Sequence, residues 1–390
     1  MNKLLLKGVA AAFCMATMFG TTACGDDDDL VNVEPPVEET QDVILEGEIT
    51  SDMTLKAADN NLLRGFVYVT DGVTLTIEPG TVIKGEKSSK GSLIVERGGK
   101  LIAEGTAEKP IVFTSDQPKA SRTYGDWGGL ILCGKSIVNN TAGEAQIEGG
   151  PRSYYGGKDP EDNSGIVKYV RIEFAGYPLE PNKEINGLTC GGVGRGTTIE
   201  YVQVSFCGDD SFEWFGGTVN AKHLIAYKGW DDEFDTDYGF QGKLQFLLGV
   251  RDPKHADTSK SNGFESDNDA DGSNNTPLTT PVFSNVTLIG PFYGESAGKT
   301  ENDIFYVTED AANGAKGGSF QAAMHIRRNS SLNVYNSIFV GWPYGLYLQN
   351  ANVGAVVKNV IFAGMWDFRL GTFACHYIRW RLCAPYLHIG

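Results

Sequence analysis

A short motif returns along most of this chain: a polar or aromatic residue, a run of alternating apolar residues, then glycine. It reads YVRIEFAG at 169–176, YVQVSFCG at 201–208, HLIAYKG at 223–229, NVTLIG at 285–290, NSIFVG at 336–341 and NVIFAG at 359–364. Gly208 and Gly229 stand 21 residues apart, and Gly341 and Gly364 stand 23 apart. Nearer the start, LTIEPGTVIKG (75–85) is followed by LIVERGGKLIAEG (93–105), which places Glu78 over Glu96 and Gly80 over Gly98 at an offset of 18 residues. A step of that size, carried by short strands, predicts one turn of a parallel β-helix. Each strand then pairs with its equivalent one coil on, about 4.8 Å away, and alternate side chains face a continuous core. By that alternation Val202, Val204, Phe206, Ile338 and Ile361 are core candidates. Asn285, Asn336 and Asn359 lead equivalent strands and are expected to stack at a turn. An antiparallel sandwich would also have many short strands but gives no reason for the step. The 49 glycines among 390 residues fit a chain of many turns. The fold class read here is all-β, a right-handed parallel β-helix (solenoid) over residues 43–365.

The N-terminus reads MNKLLLKGVAAAFCMATMFGTTACGDDDD. Lys3 and Lys7 precede a short apolar run, and small residues precede Cys24, so residues 1–23 resemble a lipoprotein signal peptide, too short for a membrane span. The resemblance implies that Cys24 is lipidated. Gly25 to Asp29 are similar to the acidic export signal of Bacteroidota surface lipoproteins. That implies the outer membrane, with the protein exposed at the cell surface and outer-membrane lipid as its partner through Cys24. Residues 24–42 are read as the lipidated cysteine and a flexible acidic stalk. At the other end, residues 366–390 form an atypical tail. It has no Asp or Glu after Asp367, it carries Arg369, Arg379 and Arg381, and it lacks the strand-turn-glycine rhythm. A truncation or shifted reading frame is one expectation for it, a docking segment the other.

The segments LTIEPGTVIKG, AEGTAEKPIVFTS and GDWGGLILCGK resemble right-handed parallel β-helix lipoproteins of Bacteroidota, related in fold to pectin lyases. The resemblance implies the solenoid and leaves the activity open, because one fold hosts many functions.

Net charge is −16, and about −18 once Lys3 and Lys7 are removed. Non-specific nucleic-acid binding is excluded on that balance, and no polybasic patch exists for anionic lipid. The chain is expected to be a monomer. No CxxC pair is present, so a zinc site is not expected, and Cys207 within an apolar strand reads as a buried free thiol.

The densest chemistry lies at 208–272. Aligning the segments on Phe212, Phe234 and Phe264 brings Glu213, Asp235 and Glu265 into one row and Asp210, Asp232 and Asn262 into a second. The first offset is 22 residues and the second 30, so residues 250–261 must bulge out. Stacked carboxylates repel and need compensation. A bound Ca²⁺ is one solution, with Asp210, Asp232 and Asp235 as candidate ligands. A shared proton is another, which would make Glu213, Asp235 and Glu265 candidate catalytic acids and bases. Solvation is the third. Trp214, Trp230 and Tyr238 are candidates for stacking on sugar rings, or are core. The nearby bases are Lys222, His223, Lys228, Arg251, Lys254 and His255; His223 reads as structural, and His325, just before Arg327 and Arg328, either as a solvated strand edge or as facing an anionic sugar. The acidic loop DNDADG (267–272) carries half an EF-hand pattern, with Leu278 where Glu is needed. In GESAGKT (294–300), Gly294, Ser296 and Gly298 match the GxSxG spacing, but no helix is read after it, and the stretch is one residue short of a phosphate loop, so it reads as a Gly-rich loop between coils.

The leading functional expectation is a lipid-anchored surface protein that binds glycan or another surface partner without catalysis. The alternative is a polysaccharide lyase or glycoside hydrolase using the carboxylate row.

Overall fold

The computed structural model describes residues 40–177, 185–291, 318–350, 352 and 354–365, together with the backbone of 367–370. The expected signal peptide, Cys24, the expected stalk up to residue 39, GESAGKT and residues 371–390 lie outside the described residues. Among the described residues, 23 strands join in one parallel hydrogen-bonded system, and Ala145–Gln146 and Tyr154–Tyr155 form a small antiparallel pair. Helix is confined there to two 3₁₀ turns, Lys87–Ser89 and Lys119–Ser121.

One coil shows how the sequence makes the solenoid. Strand Thr198–Ser205 bends at Tyr201, turns a corner at Phe206, and is followed by the short strand Phe212–Phe215. The chain then turns at Gly216 and Gly217, both at positive φ, and re-enters as Ala221–Tyr227. The next coils use Phe234–Asp237, then Lys243–Val250 with Phe264–Ser266, then Val282–Ile289 with His325–Arg327. Asn333–Val340, Tyr344–Gln349, Val356–Ala363 and Asp367–Leu370 follow. Inward residues fill one core, in which Phe212, Phe234 and Phe264 stack with centroids 5.6 Å apart.

Tyr169, Tyr201, His223, Phe246, Asn285, Asn336 and Asn359 all occupy the left-handed region, with φ between 50° and 63°. That conformation costs a non-glycine residue about 1–2 kcal/mol. Stacking offsets it: Tyr169 on Tyr201 at 4.5 Å, Tyr201 on His223 at 4.4 Å, and His223 on Phe246 at 5.1 Å. Further along, Asn359 donates to Asn336 at 3.1 Å, so the expected asparagine ladder is present and is the continuation of an aromatic one.

The bend also corrects two core assignments. Because the bend residue interrupts the alternation, Ser337 and Phe339 point inward, and Ile338 and Ile361 are 44% and 58% exposed. Val202 and Val204 are buried as expected, while Phe206 is a half-buried corner residue stacked on Phe174. Phe339→Asp should therefore cost several kcal/mol, whereas Ile338→Asp, one residue away, should cost under about 1 kcal/mol. Urea denaturation of the two variants checks the phase, and a larger loss at Ile338 would reverse it.

The 18-residue offset near the start is a corner-to-corner distance. True coil partners there are Leu55 with Ile77, Thr76 with Ile102 and Val69 with Val95, steps of 22 and 26 residues. Glu78 and Glu96 follow strands of two different faces.

Candidate carboxylate site

The short strands carry the site. Phe212, Phe234 and Phe264 take the core positions, so the alternate residues face out. Thr189, Glu213, Asp235, Glu265 and His325 are register partners on successive strands. Two residues further along, Phe215 pairs with Asp237, and Asp267 meets Arg327. The alignment of Glu213, Asp235 and Glu265 read from the sequence is thus the register of the strands.

The row just upstream is knitted into the backbone. Asp210 Oδ1 accepts the N–H of Asp232 at 2.7 Å, Asp232 Oδ1 accepts that of Asn262, and Asn262 Oδ1 accepts that of Ala322 at 3.1 Å. Each side chain holds the equivalent residue of the following coil, so the row has a structural task. Its carboxylates also lean toward the outer column. Asp210, Glu213 and Asp235 bring one oxygen each within 4.8 Å of one another, as do Asp232, Asp235 and Glu265, and Asp209, Asp210 and Asp231.

Charge compensation is uneven along the column. At the C-terminal end Arg327 pairs with Glu265 and, at 2.8 Å, with Asp267; Arg328 reaches Asp267 at 2.8 Å. His325 Nδ1 lies 3.3 Å from Glu265, and its Nε2 lies 3.1 Å from Gln349. Burial pushes the Glu265 carboxyl up, but the His325 hydrogen bond and the Arg327 charge outweigh it and hold it low. Among the described residues no cation lies within ion-pair distance of Asp210, Glu213, Asp232, Asp235 or Asp237. Burial, reinforced by the neighbouring carboxylates, pushes all of these well above the usual range. Asp231 is pushed up to about 8 by burial and by Asp257. At the upper end Asn186 donates to Glu213, and Glu148 adds a further negative charge near it. Asp235 Oδ1, Thr189 Oγ1 and Asn186 Oδ1 are buried with no hydrogen-bond partner among the described residues. An all-oxygen donor set with surplus negative charge and orphaned oxygens suits a hard divalent cation such as Ca²⁺.

The aromatic candidates divide. Trp214 is fully buried, stacked between Phe212 at 5.9 Å and Phe240 at 5.6 Å, so it is core and offers no face to a sugar. It shares the inward phase of Phe212, two residues before it. Trp230 is 3% exposed, donates its indole N–H to the Ala256 carbonyl and is covered by Tyr124 and His255. Tyr238 sits at a corner with φ 51° and remains half-buried.

The expected bases face other partners. Lys222 pairs with Glu200 at 3.2 Å, and Lys228 and His255 meet Asp252 at 3.8 and 3.5 Å. His223 is inside the bend stack, and Arg251 is buried on Glu233. His325 is not a solvated strand edge: it is 2% exposed and continues the column. In DNDADG, Asp269 accepts the N–H groups of Asp271 and Ser273, closing a tight turn of its own. Together with the arginine pairing of Asp267, that leaves no EF-hand. Cys133, Cys190 and Cys207 are buried free thiols, and Cys207 donates to the Asp210 carbonyl at 3.0 Å. Sequence reasoning missed Thr189 and the pairing of Arg327 with Glu265 and Asp267. Arg327 reaches Asp267 across 60 residues of chain, a separation that no local spacing reveals.

The family described as a pectate-lyase like beta helix domain matches residues 47–367 of this chain. No curated protein and no solved structure matches it.

Proposed function

The chain belongs to the pectate-lyase-like β-helix family, and on that premise we propose that it is a lipid-anchored surface protein that binds an anionic glycan through Ca²⁺ on the carboxylate column, without cleaving it. The observation that carries this reading is the trio Asp210, Glu213 and Asp235, which face no cation within ion-pair distance among the described residues while converging within 4.8 Å. Asp210, Glu213 and Asp235 would form one oxygen cage, whereas the next group, Asp232, Asp235 and Glu265, is already met at Glu265 by Arg327 and His325. Bound calcium would supply the positive charge that a uronate-bearing glycan needs against an acidic protein. Asp235 belongs to both groups and is the pivotal ligand. Binding is favoured over cleavage because Arg327 and Arg328 are committed to Glu265 and Asp267, and a lyase needs a base free to take a proton.

Attachment through Cys24 rests on the signal-peptide resemblance and on the acidic run behind it. Among the described residues no helix is long and apolar enough to cross a membrane, and a lipid would provide the anchor. The family match and the convergent carboxylates favour one other reading, a polysaccharide lyase or glycoside hydrolase acting at the same column. Neighbouring members of the column stand about one coil apart, ~5 Å, close to the spacing of a retaining carboxylate pair.

Intact cells making the full chain should retain fluorescent polygalacturonate with Ca²⁺ and release it in EDTA. Asp235→Asn should abolish most of that retention, and Cys24→Ser should remove the binder from the cells. New reducing or unsaturated ends in the retained polymer would favour the enzyme reading. Retention indifferent to EDTA and to Asp235→Asn would remove the calcium reading.

A further inference from the structure

The outward rows of the short-strand sheet change character where the column begins. Ile94, Ile131, Thr189 and Glu213 are successive register partners, and so are Cys133, Gly191, Phe215 and Asp237. Upstream of the carboxylates this face is apolar, and the antiparallel hairpin of Ala145–Gln146 and Tyr154–Tyr155 packs on it. We propose that this hairpin is a lid on the upper end of the column, docked when a divalent cation is bound among Asp210, Glu213 and Asp235 and loosened when the cation leaves. The coupling rests on the calcium reading of the column.

Ile147 and Tyr155 hold the lid down, joining Ile131, Cys133 and Phe215 in one buried cluster. The Tyr155 ring lies 5.8 Å from that of Phe215. It sits against Gly191, where an added Cβ would come within 2.6 Å of the ring. The other ties are at the surface. Arg152 pairs with Glu48 at 2.5 Å and with Glu96 at 3.1 Å, and Arg97 pairs with Glu144 at 2.7 Å. Exposed ion pairs of this kind contribute little. A hairpin with two paired residues on each strand is not stable by itself. Gly143 and Gly156, at φ 72° and 101°, flank it as hinges. Opening the hairpin is therefore far easier than unfolding the solenoid beneath it.

Charge supplies the coupling. Glu148 follows Ile147 on the hairpin and adds its negative charge to the surroundings of Glu213. Burial, then Tyr238 and the charges of Asp237, Glu148 and Glu213, push the Tyr155 hydroxyl well above its usual range. Lid and column thus meet with the same sign, and repulsion opposes docking while the column is ionised and metal-free. A bound cation cancels that repulsion. At the same end Thr189 Oγ1 and Asn186 Oδ1 are buried with no hydrogen-bond partner among the described residues, a deficit that a cation beneath the docked lid would relieve. By linkage, the factor by which the cation favours docking is also the factor by which docking favours the cation.

Hydrogen exchange of the full chain, in EDTA and in millimolar Ca²⁺, reads lid opening at the amides of Ile147 and Gly156, which donate to the Ser153 and Gly134 carbonyls at 2.9 Å. Calcium should slow exchange there by about tenfold, and Asp235→Asn should remove that effect. In EDTA, Glu148→Gln should slow exchange severalfold by removing the repulsion; the side chain is exposed, so folding should be unchanged. Gly191→Ala should speed both hairpin exchange and the release of calcium to a chelator, because its methyl displaces Tyr155. Hairpin exchange that is the same with and without calcium, in a protein whose melting temperature calcium raises, overturns the lid and leaves the calcium reading standing. Exchange in EDTA that is indifferent to Glu148→Gln also overturns it. If calcium changes neither exchange nor melting temperature, the calcium reading falls and the coupling falls with it.

Discussion

Arg251→Ala should lower the stability of the fold by about 3–5 kcal/mol, the scale for removing one partner of a buried ion pair. The side chain is fully buried. Its guanidinium donates to the carbonyls of Gly229 at 2.9 Å, Trp230 at 3.1 Å and Asn262 at 2.9 Å, to that of Asp231, and to Glu233 at 2.9 Å. Phe320 and Trp342 lie over it at 5.9 and 5.5 Å. Its removal strands Glu233, which is 1% exposed and which burial already pushes up to about 7 against the pull of Arg251. Several carbonyls lose a donor together, and a cavity opens in the loop that carries the chain from Arg251 to Asn262. Arg251→Lys keeps the charge and loses the planar fork, so it should fall between wild type and alanine. Because Arg251 grips the peptide just before Asp231 and Asp232, calcium affinity should fall along with stability. Guanidinium denaturation reads the first effect. A loss below about 1 kcal/mol would mean that Arg251 is not what fastens this loop.

The second large effect is an inverted pH dependence in the metal-free protein. Asp210, Glu213, Asp232, Asp235 and Asp237 have folded-state pKa values raised above those of the unfolded chain by burial and by one another. A carboxyl with a raised folded pKa binds its proton more tightly in the folded state. The folded protein therefore holds more protons than the unfolded one between the two values, and stability falls as pH rises. The window opens near the ordinary carboxyl range of about 4 and extends to about 8, where Asp231 titrates. Glu265 acts in the opposite sense: its folded pKa is lowered, so its contribution is present above the unfolded value and is lost on acidification below it. In EDTA the melting temperature should be higher at pH 5 than at pH 8, by ~5 °C or more. Millimolar Ca²⁺ should raise the pH 8 value and flatten or reverse the trend, since it binds the native carboxylates and competes with their protons. Asp235→Asn should flatten the EDTA profile and blunt the calcium response. A profile in EDTA that is flat, or that rises with pH, would show that solvent already compensates the column.

The residues themselves carried a good deal of the site. The Phe-Glu and Phe-Asp pairs at Phe212, Phe234 and Phe264 were sufficient to set Glu213, Asp235 and Glu265 in register, because coil-equivalent strands pair residue for residue. The same pattern already held the fate of Trp214. With Glu213 facing outward, Phe212 and Trp214 must both face inward. The fates of Ile338 and Ile361 were less visible, since a residue bent into positive φ shifts the phase of alternation without changing the apolar pattern. Nothing local marked Arg251 as a buried clamp or His325 as a member of the column; both depend on partners brought together from distant coils.

What the sequence determined by itself is the repeat, and with it the strand class, the solenoid and the stacking of like residues in columns. A periodic pattern of apolar side chains has few ways to bury itself, and a coil of about 22 residues is one that preserves the register. What only the tertiary structure decided is the electrostatic state of those columns. Whether a carboxylate meets an arginine, a neutral amide or another carboxylate depends on residues as far as 61 positions away and on what the loops cover. Charge interactions are set by distance and burial in space, and spacing along the chain fixes neither. Among the described residues the column is therefore quenched by Arg327 at one end and meets no ion-pairing cation at Glu213 and Asp235.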